Sequence, residues 1–525
     1  MRPRLAVLDG AAGAAFVFAA ALGSFAVQSY VWPLYAGRDW QDYVIWWHEV
    51  GQAEPLFPAL MSTRAPLAPL FFGPLLELGG AALTEAAAAV LYATTVVLWA
   101  ATARRYGRFA AAALALLLVV PPTFGLFFRQ VGSDPVFGFA LALVAWLASR
   151  AIEAPSGGRF ALVGAGVAAS VLTRPSALPL LLLVLLPLVA GRGWGRRVRW
   201  AGAVVAAAIA PLAAYAVYNH IRFDDFSVAR GGGSGIPAYR SFVVDRIVER
   251  RNGPATRELA AAIRDDLLRR EPYRSLGFEV EDVLTSGLTW VYDDVVALAD
   301  RTRGWDDDHR ILLEVGLEAV RAHPGEYAGG VLTTLGELLF ERYSGPPGAG
   351  RVGVLRGEGD PPGPVTSAAS IALVNNWALT APEPEFRVVG GTAPRTGVVW
   401  SPFEKRDLEW EDPADDRRYE ELRGIVLERL EQLSGGPRHP RGDPPLRAMM
   451  HLTPGIGYWL AAAALLWLVR RPRGLWVPFL LALASSAVLL ETALGFPADR
   501  NYAAPFLPVA MLLFLAVAGR ILPAR

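Results

Sequence analysis

The chain has 525 residues, 53% of them hydrophobic, with a formal net charge of +1 and no cysteine; its mean hydropathy is +0.32. This composition excludes an ordinary soluble globular protein. The balanced charge, without a basic tract interleaved with aromatics, argues against a nucleic-acid partner. Disulfides, thiolate metal sites and cysteine nucleophiles are ruled out.

The apolar residues come in blocks of roughly twenty, the length that crosses ~30 Å of hydrocarbon. Blocks lie at 12–35, 85–103, 109–127, 134–152, 160–173, 175–191, 199–218, 453–470, 474–493 and 502–520. They predict an all-α polytopic membrane protein of about ten transmembrane helices, with the lipid bilayer as its first partner. The first block follows Arg2 and Arg4 and ends in Val31-Trp32-Pro33-Leu34-Tyr35. Its length and aromatic exit favour an uncleaved helix over a signal peptide. If all ten blocks span, the arginine clusters at 104–108, 150 with 159, 192–199 and 470–473 fall on one side, which the positive-inside rule makes cytoplasmic. The stretch 66–82 would invert those clusters as a span and is expected to lie as a helix along the outer interface. Nearly every basic residue is Arg, Lys405 being the only Lys, which fits a GC-rich bacterial genome and hence a bacterial cytoplasmic membrane.

Three regions follow: an N-terminal transmembrane module, 1–218, whose first outer loop is 36–84; a large mixed extracytoplasmic domain, 219–452; and C-terminal transmembrane helices, 453–525. In the outer domain, residues 310–322 have helical spacing of apolar positions, with Asp306-Asp307-Asp308 placed for the positive end of that helix.

The first outer loop concentrates polar chemistry in Gly37-Arg38-Asp39-Trp40-Gln41-Asp42-Tyr43. Asp39 and Asp42 are three apart, so on a helix they share a face, with Tyr43 next to Asp39 at the fourth position. One carboxylate can serve as base for an incoming hydroxyl while the other positions it or binds a cation. The plainer alternative is a solvated loop with a capping Asp. The aromatic run Trp46-Trp47 suits an interfacial anchor. Arg64, among prolines, either snorkels to headgroups or holds a phosphate. Arg129 and Asp134 lie at another outer edge, where Ser133 or Asp134 can also cap the helix that follows. Arg174 sits at a hairpin tip made by Pro175, where an arginine facing lipid is costly. Arg500 repeats the theme at the last outward turn. No His-Glu-x-x-His, phosphate-binding loop, calcium loop or Gly-x-Ser-x-Gly element is present.

In order, Asp39 to Tyr43, Arg64-x-Pro66-x-x-Pro69, Ser133-Asp134-Pro135, Leu172-Thr173-Arg174-Pro175, Tyr218-Asn219-His220, His323-Pro324-Gly325-Glu326-Tyr327 and Arg500-Asn501-Tyr502 form a set. That set resembles the bacterial membrane glycosyltransferases of the GT-C superfamily, in the branch of protein O-mannosyltransferases and lipid A aminoarabinose transferases. The resemblance implies a polyprenyl-phosphate-linked sugar donor, an acceptor glycan, lipid or protein hydroxyl, and inverting transfer at the outer face. It implies an Asp general base in the first outer loop. Asp39 matches that position by its offset from Tyr43, and Asp42 stays in contention. Asp134 matches a second acidic position, while Arg64, Arg129, Arg174 and Arg500 are left for the donor phosphate. A divalent cation (Mg²⁺ or Mn²⁺) held by Asp39, Asp42 or Asp134 is compatible with the pattern, and so is charge stabilisation by the arginines alone.

A close alternative is an oligosaccharide transferase or ligase using a lipid-diphosphate donor. A transporter of lipid or solute is a different class. It calls for ionisable or helix-breaking groups at mid-span, whereas the interiors of these blocks are nearly uncharged.

Overall fold

In hydrocarbon a chain can satisfy its backbone only as helix or closed barrel, and the apolar blocks without strand alternation leave helix. The computed structural model describes residues 10–37, 39–190, 193–270, 273–341, 385–386, 395–396, 413–433, 438–498 and 500–521, and it is an all-α polytopic membrane fold. Its first module runs through α1 (Gly10–Val31), α2 (Trp40–Glu49), α3 (Pro58–Thr63), α4 (Leu67–Ala103), α5 (Arg108–Val119), α6 (Pro122–Phe127), α7 (Ser133–Glu153), α8 (Gly157–Thr173), α9 (Leu186–Val189) and α10 (Trp194–Phe223). Two-residue strands β1 (Tyr35–Ala36) and β2 (Gln130–Val131) pair in parallel.

Among the described residues, six helices are by themselves long and apolar enough to cross a membrane. Four shorter apolar segments, Arg108–Val119, Gly157–Thr173, Pro175–Val189 and Ile456–Arg470, fall on the remaining sequence blocks. One of these gains reach from its geometry. Pro175–Leu185 is a 3-10 helix containing Pro179, and its rise of ~2.0 Å per residue gives a longer segment than the same residues in α-helix. Gly80, with φ of 56°, breaks α4 into two arms. The break separates 67–79 from the apolar arm that follows.

The main core is the membrane bundle, in which Tyr92, Trp99, Phe128, Phe137 and Leu512 are fully buried. A second core, from Ala238 to Ala319, belongs to the helices after α10. These include α11 (Thr289–Arg303) and α12 (Arg310–Ala322), while α13 (Pro324–Phe340) buries Val331 and Leu338 in the main core. Asp307 accepts from the Ile311 amide at 2.9 Å and so occupies the positive end of α12, as its sequence predicts. Arg230 ties this region together. It pairs with both Asp300 oxygens at 3.0 and 2.7 Å and lies 3.5 Å from the Trp305 ring centre.

The chain returns through α14 (Pro413–Leu433) to α15 (Ile456–Arg470), α16 (Trp476–Gly495) and α17 (Leu507–Ile521). Arg240 joins the second core to α16. It pairs with Asp245 at 2.8 Å and donates to the Ala493 carbonyl at 2.6 Å. A third core forms around residues 36–84, where Leu422, Val426 and Leu433 of α14 pack in one cluster with Trp40, Val44 and Trp46. Trp46 is therefore buried, with its indole N–H on the Met61 carbonyl at 3.3 Å. It is not the interfacial anchor its sequence suggests, because α14 arrives from far along the chain to cover it.

Candidate active site

Two loops distant in sequence are stitched at one end of the bundle. Tyr35 opposes Gln130 and Ala36 opposes Val131, and the Gly37 amide donates to the Val131 carbonyl at 3.0 Å. A side chain at residue 37 would run into that carbonyl and the Gln130 amide, so the close approach needs glycine. Asp39 then takes a left-handed conformation, φ 57°, which Asp tolerates better than most residues. This turn starts α2 and sets Asp39, Asp42 and Tyr43 beside the Ser133–Asp134 start of α7.

Arg64 stands between the two carboxylates of the first loop. Its Nη1 is 3.2 Å from Asp39 Oδ2, while Nε and Nη2 are 2.8 and 2.5 Å from Asp42 Oδ2. The Tyr215 hydroxyl holds the Arg64 carbonyl at 3.1 Å, fixing the turn from α3 to α4 against α10. The two acids differ in environment: the Asp39 side chain is 35% exposed and that of Asp42 only 6%. Burial lifts Asp42 from its ordinary 3.8 to about 6; Arg64 opposes this and the neighbouring Asp39 charge adds to it. Burial, then the Asp39 charge, also holds the Tyr43 phenol well above its ordinary value, so it stays neutral. Tyr43 is hydrogen-bonded to Ser133 and feels Asp134 as well, so it bridges the first loop to a second ion pair.

That pair is Asp134 with Arg174, 2.8 Å apart and nearly buried. Gln130 donates to the other Asp134 oxygen at 3.3 Å. The Arg174 guanidinium lies 4.5 Å from the Tyr502 ring centre and 5.8 Å from that of Phe137. The extended Arg174 backbone ends α8, and Pro175 opens the 3-10 segment. Glu491 of α16 interacts electrostatically with Arg174. The structure thus brings Asp39, Asp42, Tyr43, Arg64, Asp134 and Arg174 to one end of the bundle.

It does not bring the Arg129 side chain there. Fully buried, Arg129 donates to Glu85 and to Ser29, each at 2.6 Å, and to the Trp32 carbonyl, tying α1 to α4. Arg500 opens the short helix Arg500–Ala503, and its side chain lies outside the described residues. The donor set does not fit a resident divalent ion. Guanidinium groups already hold Asp39, Asp42 and Asp134, and among the described residues no three acidic or histidine groups converge.

Glu491 and Tyr215 escape sequence reasoning, since nothing local marks them, whereas Gln130 lies only four residues before the Asp134 it bonds. The Arg129 partner did leave a signal: Glu85 is a single acid entering an apolar run, and such a residue needs a cation.

A polytopic helical membrane protein with paired acids and arginines at one end is thereby defined, and part of the chain is similar to a known family. Residues 64–218 match the family model described as dolichyl-phosphate-mannose-protein mannosyltransferase. That match covers Arg64, Asp134 and Arg174, three of the residues whose motifs resemble the GT-C membrane glycosyltransferases. Among solved structures, ArnT from Cupriavidus metallidurans bound to undecaprenyl phosphate is similar at 14% identity, covering 87% of this chain and 80% of that one, with a TM-score of 0.35. No curated protein matches the sequence.

Proposed function

We propose that this membrane glycosyltransferase transfers a monosaccharide from a polyprenyl-phosphate donor to an acceptor hydroxyl, at the outer face of a bacterial cytoplasmic membrane and with inversion. The observation that carries the proposal is the Asp39–Arg64–Asp42 cluster, in which a half-exposed carboxylate and a buried one share a single guanidinium. The family description names a dolichyl-phosphate sugar, which supports a lipid-phosphate donor.

In one displacement the acceptor oxygen bonds to the anomeric carbon as the bond from that carbon to the phosphate oxygen breaks. The acceptor proton passes to a carboxylate and the lipid phosphate leaves with the electron pair. Phosphate is a good leaving group, so the hydroxyl is the partner needing help, and a positioned base supplies typically ~10²–10⁴-fold. Asp39 is the accessible carboxylate and takes the proton. Asp42, gripped twice by Arg64, holds that arginine in place. Arg64 and Arg174 meet the charge growing on the phosphate, and guanidinium groups suit phosphate oxygens.

Membranes containing the wild-type protein and the variants Asp39→Asn and Asp42→Asn should be assayed with candidate polyprenyl-phosphate sugars, the product being followed by mass spectrometry. Asp39→Asn is expected to abolish transfer while donor binding persists. Near-wild-type turnover in that variant, with Asp42→Asn inactive, would move the base to Asp42.

A further inference from the structure

The short helix α3 ends at Thr63, and the last carbonyls of a helix have no partner within it. Arg64 closes it, with its amide on the Leu60 carbonyl at 3.0 Å and its backbone extended. The carbonyl of the fully buried Ser62 finds its partner far along the chain, accepting from the Arg230 amide at 3.1 Å. The backbone that carries the Arg64 guanidinium is therefore held on two sides. The Tyr215 hydroxyl of α10 donates to the Arg64 carbonyl, and the segment leading into the second core donates to Ser62.

We infer that Arg230, Asp300 and His309 are positioning residues for Arg64, through which the second core sets the geometry of the candidate active site. The inference rests on the role proposed for Arg64 above. All three side chains are buried. Besides its two bonds to Asp300, the Arg230 guanidinium lies 2.7 Å from His309 Nε2 and donates to the Trp305 carbonyl at 2.9 Å. Arginine has no acceptor, so the His309 nitrogen accepts. The Trp305 indole in turn donates to the Phe223 carbonyl, at the end of α10, at 2.8 Å. A buried charge with this many partners has one arrangement, because leaving any of them unmade is costly. The side chain thereby fixes the Arg230 backbone, and with it the amide on Ser62. Backbone strain points the same way. Asp308 and His309 are consecutive left-handed residues, with φ of 45° and 57°, and such conformations persist only where the surroundings over-determine them. Asp308 accepts from the Gly231 amide at 2.9 Å and, through its carbonyl, from the Ser234 hydroxyl at 3.0 Å, while His309 meets Arg230. Every one of these contacts leads to 230–234, the segment whose first amide holds α3.

The test compares the wild-type protein with Asp300→Asn, His309→Leu, His309→Gln and Arg303→Gln, each full-length in detergent. Hydrogen–deuterium exchange, read by mass spectrometry, follows residues 58–66. Asp300→Asn and His309→Leu should speed exchange there roughly tenfold or more, the scale of a lost hydrogen bond to a charged group. His309→Gln keeps an amide oxygen to accept from Arg230 and should retain the protection. Arg303 lies on the same helix as Asp300 but pairs with Glu258 and Glu314, so Arg303→Gln should leave 58–66 unchanged. The second readout is the pH profile of transfer. Arg64 opposes the upward pull of burial and of Asp39 on Asp42, so a loosened Arg64 should move the acid limb to higher pH in Asp300→Asn and His309→Leu. A variant that merely destabilised the fold would lose activity at every pH. Unchanged exchange at 58–66 in both of those variants, an equal change in Arg303→Gln, or an unmoved acid limb would each overturn the inference. A wild-type protein without transfer activity would sink the proposed function, whereas the exchange result would still decide the link from Arg230 to Arg64.

Discussion

Asp42 shows how one residue can set both activity and stability. Its pKa is raised from 3.8 to about 6, so the folded protein holds this proton more tightly than the unfolded chain does. Between roughly pH 4 and 6 the folded state therefore binds more protons, and its stability falls as pH rises through that window. Function runs the other way, because ionised Asp42 is what grips Arg64. Transfer is expected to fall as pH drops through about 6, and Asp42→Asn should flatten that limb of the pH profile. Arg174 makes a second prediction at this scale. Arg174→Gln removes a donor suited to the departing phosphate and should lower kcat by about 10²–10³-fold, measured with the purified protein under saturating donor. These acids and arginines were legible because charge at the edge of an apolar block is rare. Arg129 was legible as a charge and illegible as a role, since the sequence does not say that its guanidinium turns inward to Glu85.

Among the elements, the pairing of β1 with β2 matters more than its length suggests. It is the seam that puts the Asp39 loop beside the Asp134 helix, and Gly37 permits it. Gly37→Val should force the strands apart, at a cost of about 1–3 kcal/mol for overpacking. Transfer should fall further than the modest drop in Tm explains, because the loss is one of alignment. Thermal unfolding in detergent alongside an activity assay separates the two effects. The helices themselves were readable from block length, with Pro175 marking a turn, whereas the break at Gly80 was not read from the sequence. The approach of α16 to the end of α8 was not readable: Glu491 interacts electrostatically with Arg174 from far along the chain, which no local spacing encodes. Trp46 was misjudged for the same reason, its cover being α14.

For the whole molecule, Arg240 joins the second core to α16 through Asp245 and the Ala493 carbonyl. Removing one partner of a buried ion pair typically costs ~3–5 kcal/mol. Arg240→Ala should therefore expose 235–340 to limited proteolysis before the membrane bundle unfolds.

The sharing of Arg64 has a further consequence, one of proton stoichiometry. Asp42 already resists ionisation through burial and the nearby Asp39 charge, and the proposed donor is itself an anion. Its arrival makes ionised Asp42 still less favourable, so binding should draw protons from solution near pH 6. Calorimetric titration of the donor in buffers of different ionisation enthalpy would measure that uptake directly, and Asp42→Asn should abolish it.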